Sequence, residues 1–248
     1  MKLIVRSILK FIFGLAYEPL LKEIRYRKSI INGCYFSVFE IDKKLRKYVD
    51  YKNGFYVELG ANNGVDQSNT LYFEMKRGWK GILIEPALNN YLECLQRRGK
   101  NNVVFCNACV SNEFKEKFIE FSFANLMSTA TAINSDLPNI NDHLENAKNF
   151  YPQNQHSLKF AALTTTLNDL LDEGNAPHTI DLLSLDVEGA ELEVLKGIDF
   201  GKYSFKFILV ESRDFTRLNL FFADYGYSFI EKFTSQDFLF SSVEKGSL

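Results

Sequence analysis

Between Phe55 and Asn107 the chain alternates short apolar runs with segments of helical spacing, and this alternation leaves few folds open. Strand, helix and strand in succession, joined by short turns, bury both faces of each strand only when the strands lie parallel with helices above and below. Phe55-Tyr56-Val57-Glu58-Leu59 reads as the first strand, Gly81-Ile82-Leu83-Ile84-Glu85 as the second and Asn102-Val103-Val104-Phe105-Cys106 as the third. Between them, Ser68 to Lys76 has helical spacing with Ser68 as N-cap and Gly78 as terminator, and Leu88 to Arg98 forms the next helix. Further on, Ile180 to Leu185 makes a fourth, central strand, and Glu188 to Lys196 a helix closed by Gly197. Phe205 to Val210 is the fifth strand and Thr216 to Tyr225 a helix, and Tyr227 to Phe233 with Phe238 to Ser242 form a closing hairpin. The expected fold class is α/β, a doubly wound and mostly parallel sheet with an antiparallel last strand.

Two stretches depart from this rhythm. From Ala108 to Phe123 polar and apolar residues alternate, as in Lys117 to Phe123, which predicts a β-hairpin added to the core. Residues 124–160 are rich in Asn, Ser, Thr and Pro without periodicity, and their place between two sheet strands suits a substrate-binding lid, after which Thr166 to Asp172 reads as a helix capped by Thr166. The expected division is a helical extension over 1–50 and one ligand-binding domain over 51–248, a size that buries a full core.

The extension is basic: residues 1–50 hold 11 Lys or Arg against 5 Asp or Glu, whereas the remainder holds 18 against 26. Lys2, Arg6 and Lys10 recur every fourth residue in Met1 to Tyr17 and form one polar stripe on an apolar helix. That pattern is amphipathic, and its apolar run after Lys10 is far shorter than the roughly 20 residues of a bilayer span. Such a helix docks onto the protein body or rests on a membrane surface, so residues 1–28 are the expected site of any peripheral contact with the inner face of a membrane. The net charge of −2 argues against a nucleic-acid partner. Cys34, Cys94, Cys106 and Cys109 show no disulfide framework, which points to a reduced, cytoplasmic setting. The CxxC at Cys106 to Cys109 lacks a second ligand pair, because His143, His156 and His178 are not spaced to supply one.

Three constellations carry chemistry. In Glu58-Leu59-Gly60-Ala61-Asn62-Asn63-Gly64 the glycines let the backbone pass close to a ligand at the end of the first strand. Their GxxxG spacing is not the GxGxxG that seats a pyrophosphate, and an acid before such a turn suits a ligand with a cationic amino-acid end, as S-adenosylmethionine (SAM) has. Glu85, 21 residues after Gly64, ends the second strand where a carboxylate accepts both hydroxyls of a ribose, unless it caps a helix or pairs with Lys80. Asn107-Ala108 closes the third strand, placed to meet an adenine. Finally, Asp181-Leu182-Leu183-Ser184-Leu185-Asp186-Val187-Glu188-Gly189 ends a buried strand in two carboxylates at the switch region where α/β ligands bind. Burial beside a second acid raises a carboxyl toward a working general base, and capping of the next helix is the structural alternative.

VELGANNGVDQSNT, GWKGILIEP and DLLSLDVEGAELEVLKGIDF together resemble the FkbM family of SAM-dependent methyltransferases, over roughly residues 54–242. The resemblance implies a seven-stranded class I methyltransferase sheet of Rossmann-like form. It implies a methionine-end pocket shaped by Glu58, Gly60, Ala61, Asn62, Gly64 and Ser68, with Glu85 and Pro86 at the ribose and Asn107 and Ala108 at the adenine. It further implies O-methylation of a hydroxyl on a sugar, in a bacterial surface glycan or natural product. Asp186 is the expected base, with Glu188 or His143 in its place if the lid delivers them, or else Asp186 holds a divalent cation such as Mg²⁺ that orients a diol. A non-catalytic scaffold of the same fold and an NAD-dependent sugar-modifying enzyme are the rival classes.

Overall fold

The computed structural model describes residues 35–123, 129–130 and 158–242, with Gly14, Leu21, Glu23 and Ile24 as isolated positions. The amphipathic stripe of Met1 to Tyr17, Cys34, His143, His156 and most of the 124–160 insertion lie outside the described residues.

A short 3-10 turn at Val38–Glu40 leads into α1 (Ile41–Val49). There follow β1 (Phe55–Leu59), α2 (Leu71–Arg77), β2 (Lys80–Ile84), α3 (Leu88–Arg98), β3 (Val103–Phe105), β4 (Ala108–Cys109), β5 (Phe118–Phe123), β6 (Thr129–Ala130) and β7 (Leu158–Thr165). The chain continues through α4 (Leu167–Glu173), β8 (Thr179–Leu185), α5 (Glu191–Leu195), β9 (Ser204–Glu211), α6 (Phe215–Asp224), β10 (Tyr227–Lys232) and β11 (Asp237–Ser242). Seven strands form one sheet in the order β10-β11-β9-β8-β1-β2-β3. Neighbours from β9 to β3 run parallel, and β11 is antiparallel to both β9 and β10. This is the expected α/β class with its antiparallel last strand.

Alternation along the strands divides the core into two layers. Val57, Leu59, Leu183 and Leu185 face one way and pack with Leu167, Leu170 and Leu171 of α4, Leu192, Val194 and Leu195 of α5, and Leu218 and Phe222 of α6. Tyr56, Leu83, Leu182 and Leu209 face the other way, against Ile41, Leu45 and Val49 of α1, Tyr72 and Phe73 of α2, and Cys94 of α3. At five residues α5 is far below the roughly 12–15 at which an isolated helix is even marginal, so its three core side chains hold it in place. Residues 41, 45 and 49 recur every fourth position and are buried, so α1 packs into the same core layer as one face of the sheet.

Several boundaries differ from the sequence reading. The first interstrand helix begins at Leu71 with Thr70 as N-cap, not at Ser68. Ser68 nevertheless receives N–H bonds on its hydroxyl from Thr70 and Leu71, so it caps the turn that precedes the helix. The helix expected from Glu188 starts at Glu191, because Glu188 and Gly189 take positive φ values of 56° and 101°. Lys117 to Phe123 does contain a strand, β5, and it pairs antiparallel with the next strand, β6, as the expected hairpin requires. β5 also pairs antiparallel with β7, and together with β4 and β6 they build a second, four-stranded sheet in the order β4-β7-β5-β6. Part of the expected lid, Leu158–Phe160, therefore belongs to β7.

β1 and β8 are neighbours from which the chain winds outward in opposite directions, the switch point at whose carboxyl ends open α/β sheets take their ligands in a crevice. Gly60 follows β1 and Asp186 follows β8 directly.

Candidate functional site

The crevice is built first by the loop from Gly60 to Thr70. Gly60 and Ala61 both donate backbone N–H bonds to Ile84 O at 3.1 Å, which stitches the loop across to the end of β2. Asn63 Oδ1 accepts from the N–H groups of Val65 and Asp66, and its Nδ2 donates to Asp66, a side-chain-made turn. Gly60 has φ +76°, and a Cβ there would overlap the carbonyl oxygen of Asp186. Only glycine allows the β1 turn and the β8 turn to touch.

Glu58 is almost fully buried beneath this loop. Its carboxylate accepts from Ser68 Oγ, Asn69 N and Thr70 Oγ1, and pairs with Arg98 Nη1 at 3.2 Å. Burial alone would lower the Arg98 pKa, but the Tyr56 hydroxyl and the carboxylates of Glu58 and Glu74 around it outweigh burial and raise it. The acid of the first motif is thus compensated from inside the protein.

Glu85 sits one residue beyond β2, 5% exposed. Its two oxygens accept from Asn62 N at 2.9 Å and Ala87 N at 2.8 Å. Burial pushes its carboxyl up to about 7, against the pull of those donors and of Asn90. Lys80 lies at the opposite end of β2, so the alternative pairing with Glu85 is excluded by the strand itself. Beside it, Cys106 Sγ lies 3.9 Å from Pro86 O. Asn107 Nδ2 donates to Leu163 O, and Ala108 pairs with Thr164, so both are tied to the second sheet where it meets the end of β3.

At the end of β8, Asp186 keeps a solvent-accessible side chain, yet protein crowds its carboxyl closely. Asp186, Glu188 and Glu211 bring carboxylate oxygens within 4.8 Å of one another. Burial, then the charges of Glu211 and Glu188 and a hydrogen bond with Glu211, hold the Asp186 carboxyl well above its ordinary range. Two carboxyl groups bond to each other only through a shared proton. Arg213 Nη2 reaches Glu188 at 3.3 Å and Glu211 at 3.7 Å and brings one positive charge to the group. The turn itself is shaped by Glu191, 2% exposed, whose Oε1 accepts from Val187 N and Gly189 N. Asp186 N donates to Leu59 O at 3.4 Å, a second tie between the two turns.

The structure therefore brings Gly60, Ala61 and Asn62 of the β1 turn beside Glu85, which follows β2, and Asp186, which follows β8, with Glu58 and Ser68 supporting the loop and Gly64 packed against α3. His143 lies outside the described residues. Sequence reasoning missed Arg98, Glu191, Glu211 and Arg213. Arg98 reads as an ordinary basic residue in the last turn of a helix. Glu211 had a usable signal, since an acid at the carboxyl end of the fifth strand sits where the sheet gathers its ligands.

The profile of the methyltransferase FkbM domain matches residues 58–229. Among solved structures, the chain is similar to methyltransferase FkbM from Methylobacillus flagellatus KT, at 17% identity and a TM-score of 0.44, over 76% of this chain and 43% of that one. It thus spans less than half the length of that protein. A SAM-dependent methyltransferase from Aquifex aeolicus is similar at 11% identity and a TM-score of 0.41, over 82% of this chain and 89% of that one. One from Thiobacillus denitrificans, in complex with S-adenosyl-L-homocysteine, is similar at 10% identity and a TM-score of 0.34, over 79% and 66%. No protein of curated function matches the sequence. With a seven-stranded sheet that winds outward from β1, a glycine turn where β1 ends, and a family profile covering more than half of its residues, the chain belongs to the FkbM family of SAM-dependent methyltransferases.

Proposed function

We propose that this chain transfers the methyl group of SAM to a hydroxyl oxygen, most suitably of a sugar in a bacterial surface glycan or natural product, with Asp186 as the base. The observation that carries this reading is the direct contact between the Gly60 turn and the Asp186 turn, which sets the Asp186 carboxyl beside the glycine turn that ends β1. Bound SAM supplies an electrophilic methyl carbon on a sulfonium. The chain's own work is to align an acceptor oxygen with that carbon, keep water away and receive the hydroxyl proton. Asp186, whose carboxyl its burial and acidic neighbours hold above the ordinary range, is the group that receives that proton.

In this reading Glu85 takes the ribose diol, the Gly60–Gly64 turn lies along the methionine end, and Asn107 with Ala108 borders the adenine. Glu58 serves the pocket by holding the turn, because four protein groups already occupy its carboxylate. Residues 124–160 supply acceptor contacts and 1–28 the membrane-side contact of a cytoplasmic enzyme.

A divalent cation among Asp186, Glu188 and Glu211 is the second reading, favoured by the 4.8 Å clustering of three hard oxygen donors. Arg213 counts against it, since its guanidinium already offsets part of the charge that would draw the ion. Activity unchanged in EDTA is the expected result, and loss restored by Mg²⁺ would favour the ion.

Thermal melting tests the class. S-adenosylhomocysteine at a hundredfold excess over Kd adds about 2.7 kcal/mol to native stability. For a chain of this length that corresponds to a shift on the order of 5–10 °C. NAD should produce none, and a chain unmoved by SAM and S-adenosylhomocysteine would leave the scaffold reading standing. Transfer of labelled methyl to a panel of nucleotide sugars and lipid-linked glycans then identifies the acceptor.

Glu85 makes binding depend on pH. A ribose diol donates to the ionised carboxylate, and with the carboxyl at about 7 the competent fraction falls about tenfold per unit below that point. Affinity for S-adenosylhomocysteine is therefore expected to weaken roughly tenfold from pH 8 to pH 6. In Glu85→Gln the dependence should vanish and binding should be weaker throughout. A flat profile in the unaltered protein would remove Glu85 from the ribose.

A further inference from the structure

We infer that Arg98 is a positioning residue for the cofactor turn: from α3 its guanidinium clamps the β1 loop in the shape that receives the ligand. This rests on the reading of the crevice as a SAM site. The side chain is 1% exposed and reaches six acceptors. Nη1 donates to Glu58 Oε2 at 3.2 Å, to Gly64 O at 3.0 Å and to Ser68 Oγ at 3.0 Å. Nη2 donates to Tyr56 OH at 2.6 Å and Thr70 Oγ1 at 3.0 Å, and Nε to Glu74 Oε2 at 2.7 Å.

Three of the six acceptors, Gly64, Ser68 and Thr70, belong to the loop between β1 and α2, and two more, Tyr56 and Glu58, to β1 itself. That loop has no ladder of its own, so its conformation depends on side chains that reach into it. Gly64 has φ +78°, and a Cβ there would press on Cys94 Sγ and on the Arg98 stem, so α3 and the loop are packed to contact at this point. A planar fork that addresses a backbone carbonyl, three hydroxyls and two carboxylates at once cannot be replaced by lysine, whose ammonium is a point charge on a flexible stem. By pairing with Glu58, Arg98 also keeps the motif's acid turned to the loop and away from the ligand. Loop shape and ligand affinity are therefore set from a helix that lies behind the pocket.

The test compares Arg98→Lys with a core truncation on an outer strand, Leu239→Ala, which costs stability without touching the loop. Binding of S-adenosylhomocysteine is measured by calorimetry, and amide hydrogen exchange is followed across residues 60–70 and across the sheet. Arg98→Lys is expected to raise Kd at least tenfold and to speed exchange in 60–70 alone, while Leu239→Ala keeps Kd within twofold and speeds exchange broadly. Should Arg98→Lys not fold, the Glu58→Gln, Arg98→Met double variant, which leaves no unpaired charge at Glu58, carries the same comparison. A folded variant that binds within twofold of the unaltered protein, or that exchanges no faster in 60–70 than elsewhere, overturns the inference. An unaltered protein that fails to bind S-adenosylhomocysteine overturns the SAM reading instead, and the exchange pattern still decides whether Arg98 holds the loop.

Discussion

Asp186→Asn is expected to lower the methyl-transfer rate by about 10²–10⁴-fold, the range that a positioned general base contributes, while binding of S-adenosylhomocysteine stays within about threefold. Asparagine keeps the shape of the side chain and can still donate to Glu211, but it cannot accept the acceptor's proton. The same change should stabilise the protein. In the native state burial and the charges of Glu211 and Glu188 disfavour ionised Asp186, so its folded-state pKa lies above the unfolded one. A raised carboxyl contributes stability that is complete below the ordinary Asp range and is lost as pH rises toward the folded value. Asparagine carries no such pH-dependent loss, so the variant should melt above the unaltered protein at neutral pH, and the gap should close as pH falls below about 4. A more stable but inactive protein is the signature of a group strained for function. Turnover within a factor of ten of the unaltered protein would exclude Asp186 as the base.

Gly60→Ala should be the most damaging change in the crevice. A left-handed backbone costs an L-residue on the order of 1–2 kcal/mol before any contact is counted. Here the new methyl would also collide with the Asp186 carbonyl, part of a turn already fixed by Glu191 and by Asp186 N on Leu59. Neither backbone can yield without moving the other, so the substitution pushes the cofactor turn and the base apart. A lowered melting temperature is expected together with at least a hundredfold loss of S-adenosylhomocysteine affinity, read by melting and calorimetry on the same preparation. Near-normal affinity in a folded variant would mean that the two turns need not touch for binding.

Much of the frame was legible because its signals are local. Val57 and Leu59 on one face and Tyr56 on the other make a strand apolar on both sides, which reads as a buried parallel strand without any partner in view. What escaped were contacts across the chain. Lys117 to Phe123 showed the right period and pairs with its neighbour β6, but its other partner, β7, lies beyond a long insertion, so that second pairing could not be read from spacing. The start of α5 was misplaced because Gly189 and Glu188 look like helix-start chemistry, whereas their positive φ values are held by Glu191 from within the helix. Arg98 carries no sequence signal beyond its place at a helix end, because charge alone says nothing about six acceptors gathered from β1, its loop and α2.

The order of strands and helices, the glycine at the end of β1 and the acids that end β2 and β8 were determined by the amino-acid sequence alone, since periodicity and backbone freedom belong to neighbouring residues. The tertiary structure alone decided which acids act together. Asp186 meets Glu211 because β8 and β9 lie side by side, and Glu58 is neutralised because α3 folds back behind its strand. Electrostatic coupling follows distance through space, and only the folded sheet sets those distances.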